Sequence, residues 1–211
     1  MKILHLLLLL GIVFCDEKDE LKIQPFSFPN QPIAGQRVSV MCATTWGQQL
    51  QFQWFKNNVE LTSSERIQIA SLSFASNMAI DSLTEDDDGN YTCKVTSGIL
   101  TDSFSTALSV LVPPSWKNMP VDKEVHLGQT VILLCYATGK PVPLVTWTKS
   151  SRREDSFVIL HDTDTLTIYQ NGSLVIENVM KKDEGFYTCK ISNGVGKDIE
   201  KTVSVTIYGK K

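Results

Sequence analysis

Histidine, basic clusters and long apolar runs are scarce in this chain, and each scarcity closes off a class of function. Only three of the 211 residues are histidine. His5 lies in an apolar leader, His126 in a predicted strand or turn, and His161 in a predicted loop. No Gly-x-Ser-x-Gly, no paired metal-ligand spacing and no glycine-rich phosphate cradle occurs, so catalysis has no residues to work with. The chain reads as a non-enzyme, and no cofactor or metal is expected. Lys and Arg number 20 against 23 Asp and Glu, a formal net charge of −3. These charges are dispersed, which leaves no footprint for a phosphate backbone and argues against nucleic acid. Beyond the leader no apolar run approaches the roughly 20 residues of a membrane-crossing helix, and no lipid-anchor tail is present. The mature chain is expected to have no membrane span.

The leader itself is short. Lys2 supplies a positive start, and apolar residues follow almost without break to Phe14, including five consecutive leucines from Leu6 to Leu10. That length is too small to cross a bilayer and suits a signal peptide over residues 1–15, with Val13 and Cys15 before the cut and Asp16 as the new N-terminus. A bacterial lipoprotein cysteine is the rival reading of Cys15, and the bulk of Phe14 speaks against it. The charged residues 16–20 have little to bury.

What the chain does have is a tandem pattern. Asp87-Asp88-Gly89-Asn90-Tyr91-Thr92-Cys93 and Asp183-Glu184-Gly185-Phe186-Tyr187-Thr188-Cys189 both fit Asp-x-Gly-x-Tyr-x-Cys. Upstream of each, Cys42 precedes Trp54 and Cys135 precedes Trp147, and both of these residues recur 93 positions later. Around these anchors apolar residues alternate with polar ones, as in Val38, Val40 and Cys42, which marks half-buried strands. An all-β sandwich follows. Facing strands carry the cysteines, the tryptophans fill the core, and the tyrosines turn inward at the strand entrance with hydroxyls free to satisfy backbone groups.

By these residues the sequence resembles the immunoglobulin superfamily, twice over. The resemblance, with the repeat, implies two tandem immunoglobulin-like β-sandwiches over residues 22–112 and 113–208. It implies disulfides Cys42–Cys93 and Cys135–Cys189, with Trp54, Tyr91, Trp147 and Tyr187 as core motif residues. Each bridge would close a loop of about 50 residues, worth on the order of 4 kcal/mol by chain entropy, and implies an oxidising compartment. Pro25 and Pro29 suit an edge strand, and Leu108, Val110 and Val112 read as the last strand of the first domain. Val112 runs directly into Pro113-Pro114, which stiffens the junction and suggests an extended rod.

Several residues invite a functional reading. Trp46, in a loop between Cys42 and Trp54, is the candidate partner-binding residue, with folding back over the domain end as the alternative. Trp116 is expected at the junction. The run Glu85-Asp86-Asp87-Asp88 is read as a structural turn before the tyrosine corner rather than a calcium site, with Arg66 pairing to Asp87 and the other acids facing water. Asn90-Tyr91-Thr92 and Asn171-Gly172-Ser173 are N-glycosylation sequons, of which Asn171 sits in the more turn-like context.

A closer resemblance is carried by Val112-Pro113-Pro114-Ser115-Trp116, Gly128, Gly139-Lys140-Pro141-Val142-Pro143, Asn171-Gly172-Ser173-Leu174 and Ser192-Asn193-Gly194-Val195-Gly196, together with Pro25-Phe26-Ser27-Phe28-Pro29. These look like intermediate-set domains of the Down syndrome cell adhesion molecule family, particularly its arthropod branch. The resemblance implies recognition of proteins at cell surfaces, homophilic or heterophilic, in neuronal wiring and in arthropod immune recognition. A secreted adhesion-type protein is the resulting expectation, and a soluble factor binding foreign surfaces or acting as a decoy is the second.

Overall fold

The computed structural model describes residues 20–152 and 157–209. The signal-peptide reading of residues 1–15 and the reading of Cys15 lie outside the described residues. The first domain contains β1 (Val38–Ala43), β2 (Gln51–Lys56), β3 (Val59–Leu61), β4 (Ile67–Ser71), β5 (Ala75–Ile80), β6 (Gly89–Ser97) and β7 (Leu100–Leu108). The second contains β8 (Val112–Asn118), β9 (Lys123–His126), β10 (Val131–Leu133), β11 (Tyr136–Lys140), β12 (Leu144–Ser150), β13 (Val158–Ile159), β14 (Leu166–Ile168), β15 (Leu174–Ile176), β16 (Gly185–Ser192) and β17 (Ile199–Tyr208).

Period-two alternation builds these strands. In β1 the side chains alternate buried and exposed, with Val38, Val40 and Cys42 inward, and β16 does the same with Tyr187, Cys189 and Ile191. The first domain stacks a sheet β1-β5-β4 on a sheet β3-β2-β6-β7. The second stacks β10-β15-β14 on β13-β12-β16-β17-β9, with a ribbon β11-β8 at its side. Among the named strands of the described residues, every pairing is antiparallel except that of β9 with β17.

Each sandwich closes on one core. Trp54, Tyr91, Met78, Ile80 and Leu83 fill the first, and Trp147, Tyr187, Leu133, Leu174 and Ile207 the second. The bridges Cys42–Cys93 and Cys135–Cys189 tie the facing sheets at Cα separations of 6.3 and 6.5 Å.

Two expectations change in detail. The edge strand around Pro25 and Pro29 does not form a ladder. Ile23 and Ile33 make isolated bridges, to Thr44 and Leu111, because the prolines between them have no N–H to donate. The last strand of the first domain ends at Leu108, and Val112 already belongs to the second domain. There it pairs with Lys140, and its carbonyl accepts a hydrogen bond from Asn193 Nδ2 at 2.8 Å.

Candidate recognition site

The repeated motif residues serve the cores. Tyr91 donates its hydroxyl hydrogen to the Asp87 carbonyl at 2.8 Å, and Tyr187 donates to the Asp183 carbonyl at 2.6 Å. Both phenols are buried, and burial first, then the charge of Asp87 or Asp183, pushes their pKa values upward. Trp54 Nε1 donates to Ser76 Oγ at 3.0 Å, and Trp147 Nε1 to the Gly172 carbonyl at 2.8 Å. Asp87 accepts from the Thr84 N–H at 2.8 Å and from Arg66 Nη2 at 2.5 Å, so the expected Arg66–Asp87 pair is present.

The acidic run departs from expectation at one place. Asp88 does not face open water. Its Oδ1 accepts from the Val110 N–H at 2.6 Å and its Oδ2 pairs with Lys140 Nζ of the second domain. Burial raises its pKa, but the Lys140 and Val110 hydrogen bonds outweigh that and hold it below the ordinary carboxylate range. Glu184 takes the equivalent position in the second copy, accepting from the Ile207 N–H at 2.9 Å and from Lys181 at 2.7 Å within its own domain. Asp88 was thus missed as a junction residue. Only its place one residue after the motif Asp marked it, and nothing local names Lys140.

A second missed pair was visible in the repeat. Lys56 and Lys149 each stand two residues after the motif Trp. Each ammonium lies over the tyrosine ring of its own corner, at 5.8 and 5.4 Å from the centroid. Among the described residues, no group of three or more His, Cys, Asp or Glu is placed to hold a metal ion.

Trp46 lies at one end of the first domain. Three turns meet there: residues 44–50 between β1 and β2, 72–74 between β4 and β5, and 98–99 between β6 and β7. Thr44 N–H donates to the Phe74 carbonyl at 3.1 Å, and Gln48 and Ser97 exchange hydrogen bonds at 3.1 and 2.8 Å. Trp46 is half-buried against the first core, and the Thr44 hydroxyl donates to its carbonyl at 2.9 Å. Leu72, Phe74, Ile99 and Leu100 point outward.

Comparison with known proteins decides the family. Residues 22–110 match the immunoglobulin I-set domain and residues 113–193 match the immunoglobulin domain. The chain belongs to the immunoglobulin superfamily. It is 34% identical over 187 residues to the cell adhesion molecule DSCAM of Gallus gallus, covering 88% of this chain. It is 29% identical over 188 residues to the cell adhesion molecule Dscam2 of Drosophila melanogaster. The chain spans only 9% of the length of either relative. Among solved structures, the N-terminal eight immunoglobulin domains of DSCAM superpose with a TM-score of 0.76 at 27% identity, over 90% of this chain and 25% of that one. The resemblance to the Down syndrome cell adhesion molecule family is borne out, with vertebrate and insect members both represented.

In immunoglobulin terms, β1 to β7 are strands B, C, C′, D, E, F and G, so the three joined turns are the B–C, D–E and F–G loops. The equivalent end of the second immunoglobulin domain carries Lys140, Pro141 and Asn193 and faces the first domain through Asp88 and Val112. Trp116, half-buried, packs against the second core from β8. With Lys190, Gly196, Asp198, Ile199 and Glu200 it lines a shallow surface cavity of about 750 Å³. Of the two sequon asparagines, Asn90 is exposed on strand F. Asn171 is exposed in a turn, and its Oδ1 accepts from the Ser173 N–H at 3.0 Å.

Proposed function

We propose that the chain is an extracellular recognition protein that works in cell adhesion by binding other proteins, its own kind or a cell-surface relative. The observation that carries this is the 34% identity to a cell adhesion molecule over 187 residues, a stretch that includes parts of both domains. The two disulfides add support, since they persist in an oxidising, extracellular setting. Secretion is part of the proposal. So is a junction that keeps the two immunoglobulin domains in line, leaving sheet faces and loop ends free to bind. Trp46 is proposed as a contact residue, and a Trp46→Ala change that lowers stability while leaving binding intact removes it from that role. Asn90 and Asn171 are proposed glycan acceptors. Intact mass before and after enzymatic glycan removal tests them, and secreted eukaryotic material showing no mass change refutes both.

The deciding experiment is sedimentation equilibrium of the secreted protein from Asp16 onward, over a wide concentration range, with binding to cells that display the same chain. Reversible dimers or bound cells establish self-recognition. A strict monomer that binds no such cells rules out the homophilic form and leaves a heterophilic partner. If the soluble chain instead binds microbial surfaces, the decoy or immune reading replaces adhesion.

A further inference from the structure

The outer face of the small sheet β10-β15-β14 in the second domain is apolar. Ile132, Leu134 and Tyr136, running from β10 onto β11, alternate with the buried Leu133, Cys135 and Ala137 and are 48%, 49% and 43% exposed. Val175 stands opposite Ile132, Thr167 opposite Val175, and Tyr169, 53% exposed, follows Thr167 on the same side. An antiparallel sheet with one wet face ordinarily turns polar side chains to the water.

The matching sheet of the first domain obeys that rule more closely. By the register of the repeat, Ser39, Met41, Ala43 and Ala70 stand where the second domain has Ile132, Leu134, Tyr136 and Tyr169. Beside them Arg37 pairs with Asp81 at 3.3 Å, and Gln68 bonds to each of the two at 3.2 Å. Apart from Met41, that outer face is small or polar. Two sheets of one design thus differ in what they show to solvent.

The same register shows what stands beside the apolar face. At the turn between β14 and β15 the second domain has Asn171-Gly172-Ser173, and the first has Ala75-Ser76-Asn77, which is no sequon. The core tryptophans confirm the match, since Trp54 bonds Ser76 and Trp147 bonds Gly172. The turn is pressed onto the neighbouring strand: a Cβ on Gly172 would stand 2.1 Å from the Cys135 carbonyl oxygen. Asn171 and Ser173 therefore flank the place of Cys135, as Tyr136 and Leu134 do on their own strand. Asn171 is exposed, and its Oδ1 accepts from the Ser173 N–H at 3.0 Å. That bond fixes the amide and leaves Nδ2, the atom that carries a glycan, as its open end.

We propose that the glycan on Asn171 lies along this sheet and covers Ile132, Leu134, Tyr136 and Tyr169, which closes the face to protein partners and leaves recognition by the second domain to its other sheet. The cover rests on the reading of Asn171 as a glycan acceptor. From Tyr136 to Ile132 the face runs four residues along the strand, about 13 Å, within reach of a few sugar rings. A pyranose presents a face of C–H bonds that packs on aliphatic side chains and on the electron-rich faces of aromatic rings. Its hydroxyls stay in water, so the cover leaves no hydrogen bond unmet and replaces an apolar surface by a soluble one.

The five tyrosines of the chain supply the test. Tyr136 and Tyr169 lie on the face, Tyr91 and Tyr187 are buried in the cores, and Tyr208 is exposed at the end of β17 in the other sheet. Three forms are lightly iodinated and read by peptide mass spectrometry: the parent secreted from eukaryotic cells, the same folded material after enzymatic glycan removal, and Asn171→Gln. In both bare forms Tyr136 and Tyr169 should react at least about twofold faster than in the parent, as when a bulky cover takes half of an exposed ring from solvent. Tyr208 should be unchanged, and Tyr91 and Tyr187 unreactive throughout. A parent peptide with bare Asn171 refutes the acceptor reading, and the cover falls with it. An occupied Asn171 with Tyr136 and Tyr169 equally reactive in all three forms keeps the acceptor and overturns the cover. A rise shared by Tyr208 assigns the change to general loosening of the domain and overturns the cover as well.

Discussion

At the residue scale, the tyrosine corners link sequence motif to pH response. Tyr91 and Tyr187 are almost fully buried with their hydroxyls on backbone carbonyls, and burial leads the causes that raise both pKa values above the ordinary value near 10. A raised pKa means that the folded chain keeps its proton after the unfolded chain has lost it. The stabilisation is therefore complete below about pH 10 and falls as pH climbs further, by at most about 1.4 kcal/mol per pH unit for each tyrosine. Urea unfolding followed from neutral to alkaline pH should show midpoints that fall above about pH 10. Tyr91→Phe should remove the first domain's share of that slope, and a variant with the parent's slope rules the assignment out. The tyrosines, the tryptophans and the four cysteines were legible because short spacing and repetition mark them. Asp88 was not, since its partner Lys140 is 52 residues away and pairing at that range leaves no local pattern.

At the element scale, strands were read well wherever one face is buried. The alternation of Val38, Val40 and Cys42, or of Val203, Val205 and Ile207, is the sequence image of a sheet with a wet side and a dry side. Pro25 and Pro29 could not be resolved in the same way, because proline permits an edge strand and also permits no ladder at all. Turns carry their own demand. Gly172 has φ of +87°, and a Cβ there would sit 2.1 Å from the Cys135 carbonyl oxygen. Gly172→Ala should therefore destabilise the second domain by about 2–4 kcal/mol, strain and clash together. Gly35, with φ of +87° and nothing near its Cβ position, should cost only about 1 kcal/mol on the same change. Chemical unfolding of the two variants reads the difference, and equal costs contradict the close approach of Gly172 to the bridge strand.

At the scale of the whole molecule, the junction is direct: β7 ends at Leu108, β8 begins at Val112, and Asp88–Lys140 braces the turn between them. Asp88→Asn keeps the acceptor for the Val110 N–H and removes the charge, while Lys140→Met removes the ammonium and keeps the stem. Both should leave each domain's unfolding within about 1 kcal/mol of the parent, as befits a partly exposed pair. Small-angle scattering should nevertheless show a broader spread of domain angles, and a spread equal to the parent's would deny the brace its role. The two bridges have a mechanical consequence as well. Each locks a segment with its ends 51 or 54 residues apart in sequence, so a pull on the chain ends cannot spool that segment out, which withholds roughly 170 Å of contour per domain. Under load the bridges set an upper bound on reach: when a sandwich gives way, only the chain outside its bridge extends, and the strain then passes on to whatever the molecule holds.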